Sequence, residues 1–174
     1  MIVPKHPVDD DELIRLSADN PGWHIEREPD GTLTVSPTSY RNAIRAIEAA
    51  RQLHEWGHEH GYTAGADGGI TLPDTAVRAP DASWVSFERW NALTEQDRAN
   101  YPRVLPEVVV EIVSDSDSYQ AQRRKTQRYV EQGSLYGVVI DPRTRRAEEF
   151  GERPAGLRLD VDRIIDAGAP RPPR

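Results

Sequence analysis

Two apolar runs constrain this chain more than anything else in it. Residues 107–114 read Glu-Val-Val-Val-Glu-Ile-Val-Ser and residues 135–141 read Leu-Tyr-Gly-Val-Val-Ile-Asp. Near-continuous apolar runs of this length are strands buried on both faces. Between them the spacing predicts a helix over 117–132, stopped by Gly133, and Pro142 closes the second strand. A strand, a crossover helix and a second strand force parallel pairing with a right-handed connection. One residue does not belong in such a core. In a strand Val108, Val110 and Ile112 face one way, and Val109, Glu111 and Val113 the other. The Glu111 carboxylate is costly there unless it is paired, protonated or bound to a metal.

The other segments arrange themselves around that unit. Residues 1–8 read as a loose arm. Asp9, Asp10, Asp11 and Glu12 precede Leu13, Ile14 and Leu16, a short helix with acids where the dipole favours them. Residues 23–36 read as a β-hairpin turning at Pro29-Asp30-Gly31. The longest helical pattern is 40–60, with Ile44, Ile47, Ala50, Leu53 and Trp56 as its apolar stripe, Thr38 or Ser39 as N-cap and Gly61 as stop. Short strands follow at 62–65, 69–72 and 80–85, then surface turns over 87–101. Residues 145–150 predict an edge strand, 157–165 a last short element, and the Pro/Arg-rich end a disordered tail over 167–174. One domain spans 9–166. The fold class is α/β: a mixed β-sheet flanked by helices, an αβββαβ core with an N-terminal hairpin.

Composition narrows the function classes. The 174 residues include no cysteine, which removes disulfides, thiolate metal sites and cysteine nucleophiles, and fits a reducing, cytoplasmic compartment. No run has the length of a membrane span. The start carries no signal-peptide pattern. A net charge of −7 argues against a general nucleic-acid coat protein, but not against a local basic patch on an acidic chain.

Asp81, after Pro80, opens the strand that precedes Glu111. If the two strands are neighbours, the acids converge at one end of the sheet. Two hard oxygen ligands with open positions suit Mg²⁺ or Mn²⁺, which could activate water and offset charge on a phosphoryl oxygen. The plainer alternative is a turn cap at Asp81 and a structural ion pair at Glu111. On the following helix Arg123, Arg124, Gln127, Arg128 and Glu131 share one face. Lys125, beside Tyr129, is turned toward the sheet and could reach the carboxylates; otherwise it snorkels along the helix edge. The three arginines contact phosphates or are simply solvated. Asp115 and Asp117 read as N-caps for this helix.

A second motif competes. His54-Glu55-Trp56-Gly57-His58 has the H-E-x-x-H pattern of a zinc protease. The continued spacing would put a third ligand at Ala64, the single methionine is Met1, and Gly57 weakens the helix. Zinc proteolysis is therefore the remote alternative.

Taken together the residues resemble a bacterial family of "putative restriction endonucleases", formerly a domain of unknown function, within the PD-(D/E)XK nuclease superfamily. The matching stretches are Asp-Gly-Thr-Leu-Thr-Val-Ser-Pro at 30–37, Leu-Pro-Asp at 72–74 and Val-Arg-Ala-Pro-Asp-Ala-Ser-Trp-Val at 77–85. They continue with Pro-Glu-Val-Val-Val-Glu-Ile-Val-Ser at 106–114, then Lys125, Tyr129, Gly133, and Val-Ile-Asp-Pro at 139–142. The resemblance implies metal ligands at Asp81 and Glu111, with the Ile112 carbonyl as a third. The superfamily lysine two residues beyond Glu111 is replaced by Val113, and Lys125 occupies the place this family gives that lysine. Asn42 stands where family members often carry a histidine. Glu26 lies in the hairpin, where the family often has an acid, and is left out of the predicted site. The implied function is Mg²⁺- or Mn²⁺-dependent cleavage of DNA at Asp81, Glu111 and Lys125, with Arg123, Arg124 and Arg128 along the strand. A homodimer would suit cutting of two strands. The alternative is a nuclease-fold domain without catalysis that binds nucleic acid or a partner protein.

Overall fold

The computed structural model describes residues 1–37 and 39–170. The predicted cap at Thr38 and the last four residues of the predicted tail lie outside the described residues. In chain order the elements are α1 (Asp10–Asp19), β1 (Trp23–Arg27), β2 (Leu33–Pro37), α2 (Tyr40–Gly57), β3 (Gly61–Gly65), β4 (Ile70–Thr71) and β5 (Val77–Arg78). They continue with β6 (Ala82–Ser86), α3 (Phe87–Asn91), α4 (Glu95–Arg98), β7 (Val108–Ile112), α5 (Tyr119–Glu131), β8 (Tyr136–Asp141), β9 (Arg146–Gly151) and α6 (Val161–Asp166). The architecture is the mixed α/β class read from the sequence.

The main sheet runs β3-β6-β7-β8-β9. β7 and β8 are parallel across the α5 crossover, and the other pairs are antiparallel. The alternation along β7 is the predicted one. Val108, Val110 and Ile112 pack in the core beneath α2 and α6, while Val109 joins a second core with Tyr129 of α5. The sequence reading placed 69–72 among the strands leading to this sheet. It belongs instead to a second sheet, β2-β1-β5-β4. The two-residue strand β5 had no recognisable pattern; it forms because it lies between β1 and β4 and pairs with both. This small sheet closes one side of the site described below. Residues 1–8 lie along the small sheet: Ile2 bridges Leu33, and Val8 is buried against Leu13 and Val77.

The apolar stripe of α2 also differs from the predicted one. Ile47 is 70% exposed, and the buried positions are Ala46, Ala49, Gln52, Leu53 and Gly57. Small residues let the helix approach the sheet closely. At Gly57 the carbonyl accepts a hydrogen bond from the buried Trp84 indole at 3.0 Å, and a Cβ there would collide with that ring. The glycine inside the H-E-x-x-H motif is thus a packing requirement. Gly57→Ala is expected to destabilise the protein by about 1–3 kcal/mol, the usual range for overpacking. Urea unfolding followed by tryptophan fluorescence measures it; an unchanged midpoint would refute the close approach.

Asp117 does not cap α5. Its Oδ2 accepts from the Ser114 amide at 3.1 Å and hydroxyl at 2.7 Å, which tightens the turn leaving β7. Ser118 is the N-cap residue, without a side-chain cap bond.

Candidate active site

The end of β7 next to β6 collects the acids. Ala82 pairs with Val110, so the next step of the antiparallel register sets Asp81 opposite Glu111. Asp81 is held from two sides. Its Oδ2 accepts the Ile112 amide at 2.7 Å, and its Oδ1 accepts from Asn42 Nδ2 of α2 at 3.3 Å. Glu111 is only 2% exposed and points toward α5.

From α5, Lys125 reaches back as the helical wheel predicts. Its Nζ lies 3.0 Å from Glu111 Oε1 and 2.8 Å from Glu26 Oε1. Glu26 comes from β1 and also accepts the Ala79 amide at 2.9 Å. Its other oxygen lies 3.7 Å from the buried Arg78, which in turn pairs with Glu28. A chain of charges therefore ties the small sheet to the acidic end of the large one.

One ammonium faces two carboxylates, and they do not share it equally. Burial alone would lower Lys125, but Glu111 and Glu26 outweigh it and hold the ammonium well above its usual range. Burial would likewise raise Glu26, yet Lys125, Arg78 and the Ala79 amide hold it below its ordinary value. Glu111 has no such set of donors. Its contact with Lys125 lacks hydrogen-bond alignment, leaving Oε1 without a hydrogen-bond partner. Burial pushes Glu111 up to about 8, with Asp81 and Glu26 adding to it against Lys125. Asp81 rises to about 6, again by burial first, opposed by the Ile112 amide and Lys125. The metal-free site thus keeps the Lys125–Glu26 pair ionised and favours a proton on Glu111.

These groups line a cavity of about 330 Å³ between the two sheets and the start of α2. Among the described residues, three acceptor oxygens on its wall are buried with no hydrogen-bond partner: Glu111 Oε1, Asn42 Oδ1 and Gln122 Oε1. Glu111 Oε1 already faces the Lys125 ammonium, while the two amide oxygens, buried and unpaired, call for a cation or a donor. Among the described residues no group of three or more His, Cys, Asp or Glu side chains could hold a metal. Two carboxylates with neutral oxygens nevertheless suit Mg²⁺, which keeps several waters and needs only one or two carboxylates. The residues present fit such an ion, held by Asp81 and Glu111. Ile112 lines the same cavity and contributes its amide to Asp81.

The three arginines lie elsewhere. Arg123 forms an ion pair with Glu148 of β9 at 2.7 Å and covers Phe150. Arg128 pairs with Asp74 at 2.7 Å, and Arg124 lies beside it in a separate surface hollow. The H-E-x-x-H residues are also remote from the acids. Glu55 pairs with Arg51, and His58 bonds to the His54 carbonyl at 3.0 Å just past the end of α2. Among the described residues these histidines have no third ligand. The site adds two residues that sequence reasoning left out, Glu26 and Asn42. Glu26 pairs in register with Thr34, and both face the cavity. Its signals in the sequence were an acid in the hairpin and the family's frequent acid there.

Comparison with known proteins agrees with this frame. A family model, Uma2, described as "Putative restriction endonuclease", matches residues 10–162. Among solved structures, a crystal structure from Anabaena variabilis ATCC 29413, described as a putative nuclease belonging to DUF820, superposes with a TM-score of 0.68 at 18% identity. The match covers 92% of this chain and 98% of that one, and shows a shared fold. No curated protein matches the chain. No helix among the described residues is long and apolar enough to cross a membrane.

Proposed function

This chain belongs to the Uma2 family of "Putative restriction endonuclease" proteins, and we propose that it hydrolyses DNA phosphodiester bonds with Mg²⁺ or Mn²⁺ at Asp81, Glu111 and Lys125. The observation that carries this reading is the buried Lys125 ammonium, 3.0 Å from Glu111 Oε1 in the same cavity as the amide-anchored Asp81. A divalent ion bound by Asp81 and Glu111, with the Ile112 carbonyl as a third ligand, would polarise the phosphate and acidify a bound water. The chain's own residues do the rest. The Ile112 amide and Asn42 fix the direction of the Asp81 carboxylate before substrate arrives. Glu26 fixes Lys125, whose ammonium stabilises negative charge building on the phosphoryl oxygens. Neither group needs to reorganise during the reaction. Lys125 on α5 would thus take the part of the superfamily lysine that Val113 replaces on the strand. Arg124, one helical face away, would contact phosphates of the flanking strand.

The test is cleavage of plasmid and oligonucleotide DNA by the purified protein. Cleavage is expected with Mg²⁺ or Mn²⁺, is expected to stop with EDTA, and is expected to fall below detection in Asp81→Ala. A protein that cuts nothing under these conditions would instead support the non-catalytic alternative, which the commitment of Arg123 and Arg128 to Glu148 and Asp74 would then fit.

A further inference from the structure

A second hollow, of about 320 Å³, adjoins the acidic cavity. His24, Glu26, Ala66, Asp67 and Ala79 line both, so the two meet along β1 and the segments after β3 and β5. The chemistry of the second is different. Pro21, Trp23 and Tyr101 contribute its flat apolar surfaces. Trp23 opens β1 opposite Pro37 of β2, lines this second hollow and remains 50% exposed. Tyr101 lays its ring over Gly69, where any side chain would collide with it. An exposed indole in a hollow that adjoins the acidic cavity is a surface on which a nucleobase can stack.

We propose that this hollow binds the base of an unpaired nucleotide adjoining the scissile phosphate, with Trp23 as the stacking residue. The inference rests on the nuclease reading and narrows it to single-stranded or locally unpaired DNA. Volume decides against a base pair: about 320 Å³ is at the small end of ligand-sized sites and accommodates one nucleotide unit. Geometry decides against a continuous duplex. A base in a duplex is stacked on both faces and paired on its edge, and cannot enter a walled hollow without leaving the helix.

The test is fluorescence-anisotropy binding of a short single-stranded oligonucleotide in the Glu111→Gln background, which holds back cleavage. Trp23→Ala is expected to weaken binding about tenfold to a hundredfold, the size of one base–aromatic stack. Trp23→Phe is expected to retain most of the affinity, which separates stacking from simple loss of fold. An oligonucleotide with an abasic position is expected to bind as weakly as Trp23→Ala, with no further loss when the two are combined. Equal binding by Trp23→Ala and its parent, or equal cleavage of duplex and single strand by the wild type, would overturn the inference and leave the nuclease reading intact. Absence of both binding and Mg²⁺-dependent cleavage in the wild type would overturn both.

Discussion

Glu111→Gln is expected to remove cleavage and, in the same molecule, to stabilise the metal-free protein. The two effects have one cause. The Glu111 carboxylate is buried, lacks an aligned donor and is pushed up to about 8 from an ordinary 4.5. The folded protein therefore holds a proton that the unfolded chain releases. Because the native state binds more protons between these values, the stability contribution is fully present below about pH 4.5 and declines as pH rises toward about 8. Asp81 adds the same sign between 3.8 and about 6. Glutamine has nearly the same shape and no charge to desolvate. Thermal melts in EDTA should show a higher Tm for Glu111→Gln at pH 8, by roughly 2 °C or more if even about 1 kcal/mol is recovered. The fall in Tm between pH 5 and pH 8 should be shallower in the variant. Loss of a ligand to the ion should lower cleavage by about a thousandfold, several kcal/mol of transition-state stabilisation. A variant that melts lower than wild type with an unchanged pH slope would contradict the buried-charge account.

Lys125→Met has the second largest expected effect, and it acts in the opposite sense on stability. Removing the ammonium leaves Glu26 and Glu111 buried together with no cation between them. Breaking a buried pair from one side costs about 3–5 kcal/mol, which corresponds to a Tm lowered by on the order of 10 °C. Cleavage should fall by roughly a hundredfold to a thousandfold, the usual loss when a preorganised electrostatic group is removed. The double variant Lys125→Met with Glu26→Gln separates the two roles. It removes one of the stranded carboxylates, so part of the stability should return while cleavage does not. Recovery of activity together with stability would mean that Lys125 serves only the fold.

How much of this was legible beforehand follows from how local each signal is. The parallel pair β7 and β8 was readable because both strands are buried on both faces and the crossover has one allowed hand. Lys125 was readable because a helix of known phase shows which side chains face the sheet. Asp81 and Glu111 were readable as a pair because their strands are neighbours, which the register now makes explicit. The second sheet was not readable. β4 and β5 have two residues each, too few to show alternation, and they exist only through pairing with β1 and with each other. Glu26 was visible only through the family resemblance, since the face of β1 that meets the site depends on that sheet. The α2 stripe misled because it followed the larger side chains, whereas the face that packs on the sheet buries Ala46 and Ala49 and sets Gly57 against Trp84. Asp117 looked like a helix cap because its residue type suits both a cap and the Ser114 turn.

The central claim is that Asp81 and Glu111 hold one divalent ion between them, and calorimetric titration of Mn²⁺ into the metal-free protein tests it without any substrate. The account predicts one ion per chain in the wild type, with affinity lowered at least about tenfold in both Asp81→Asn and Glu111→Gln. No bound ion, or an ion bound equally well by wild type and both variants, would contradict it.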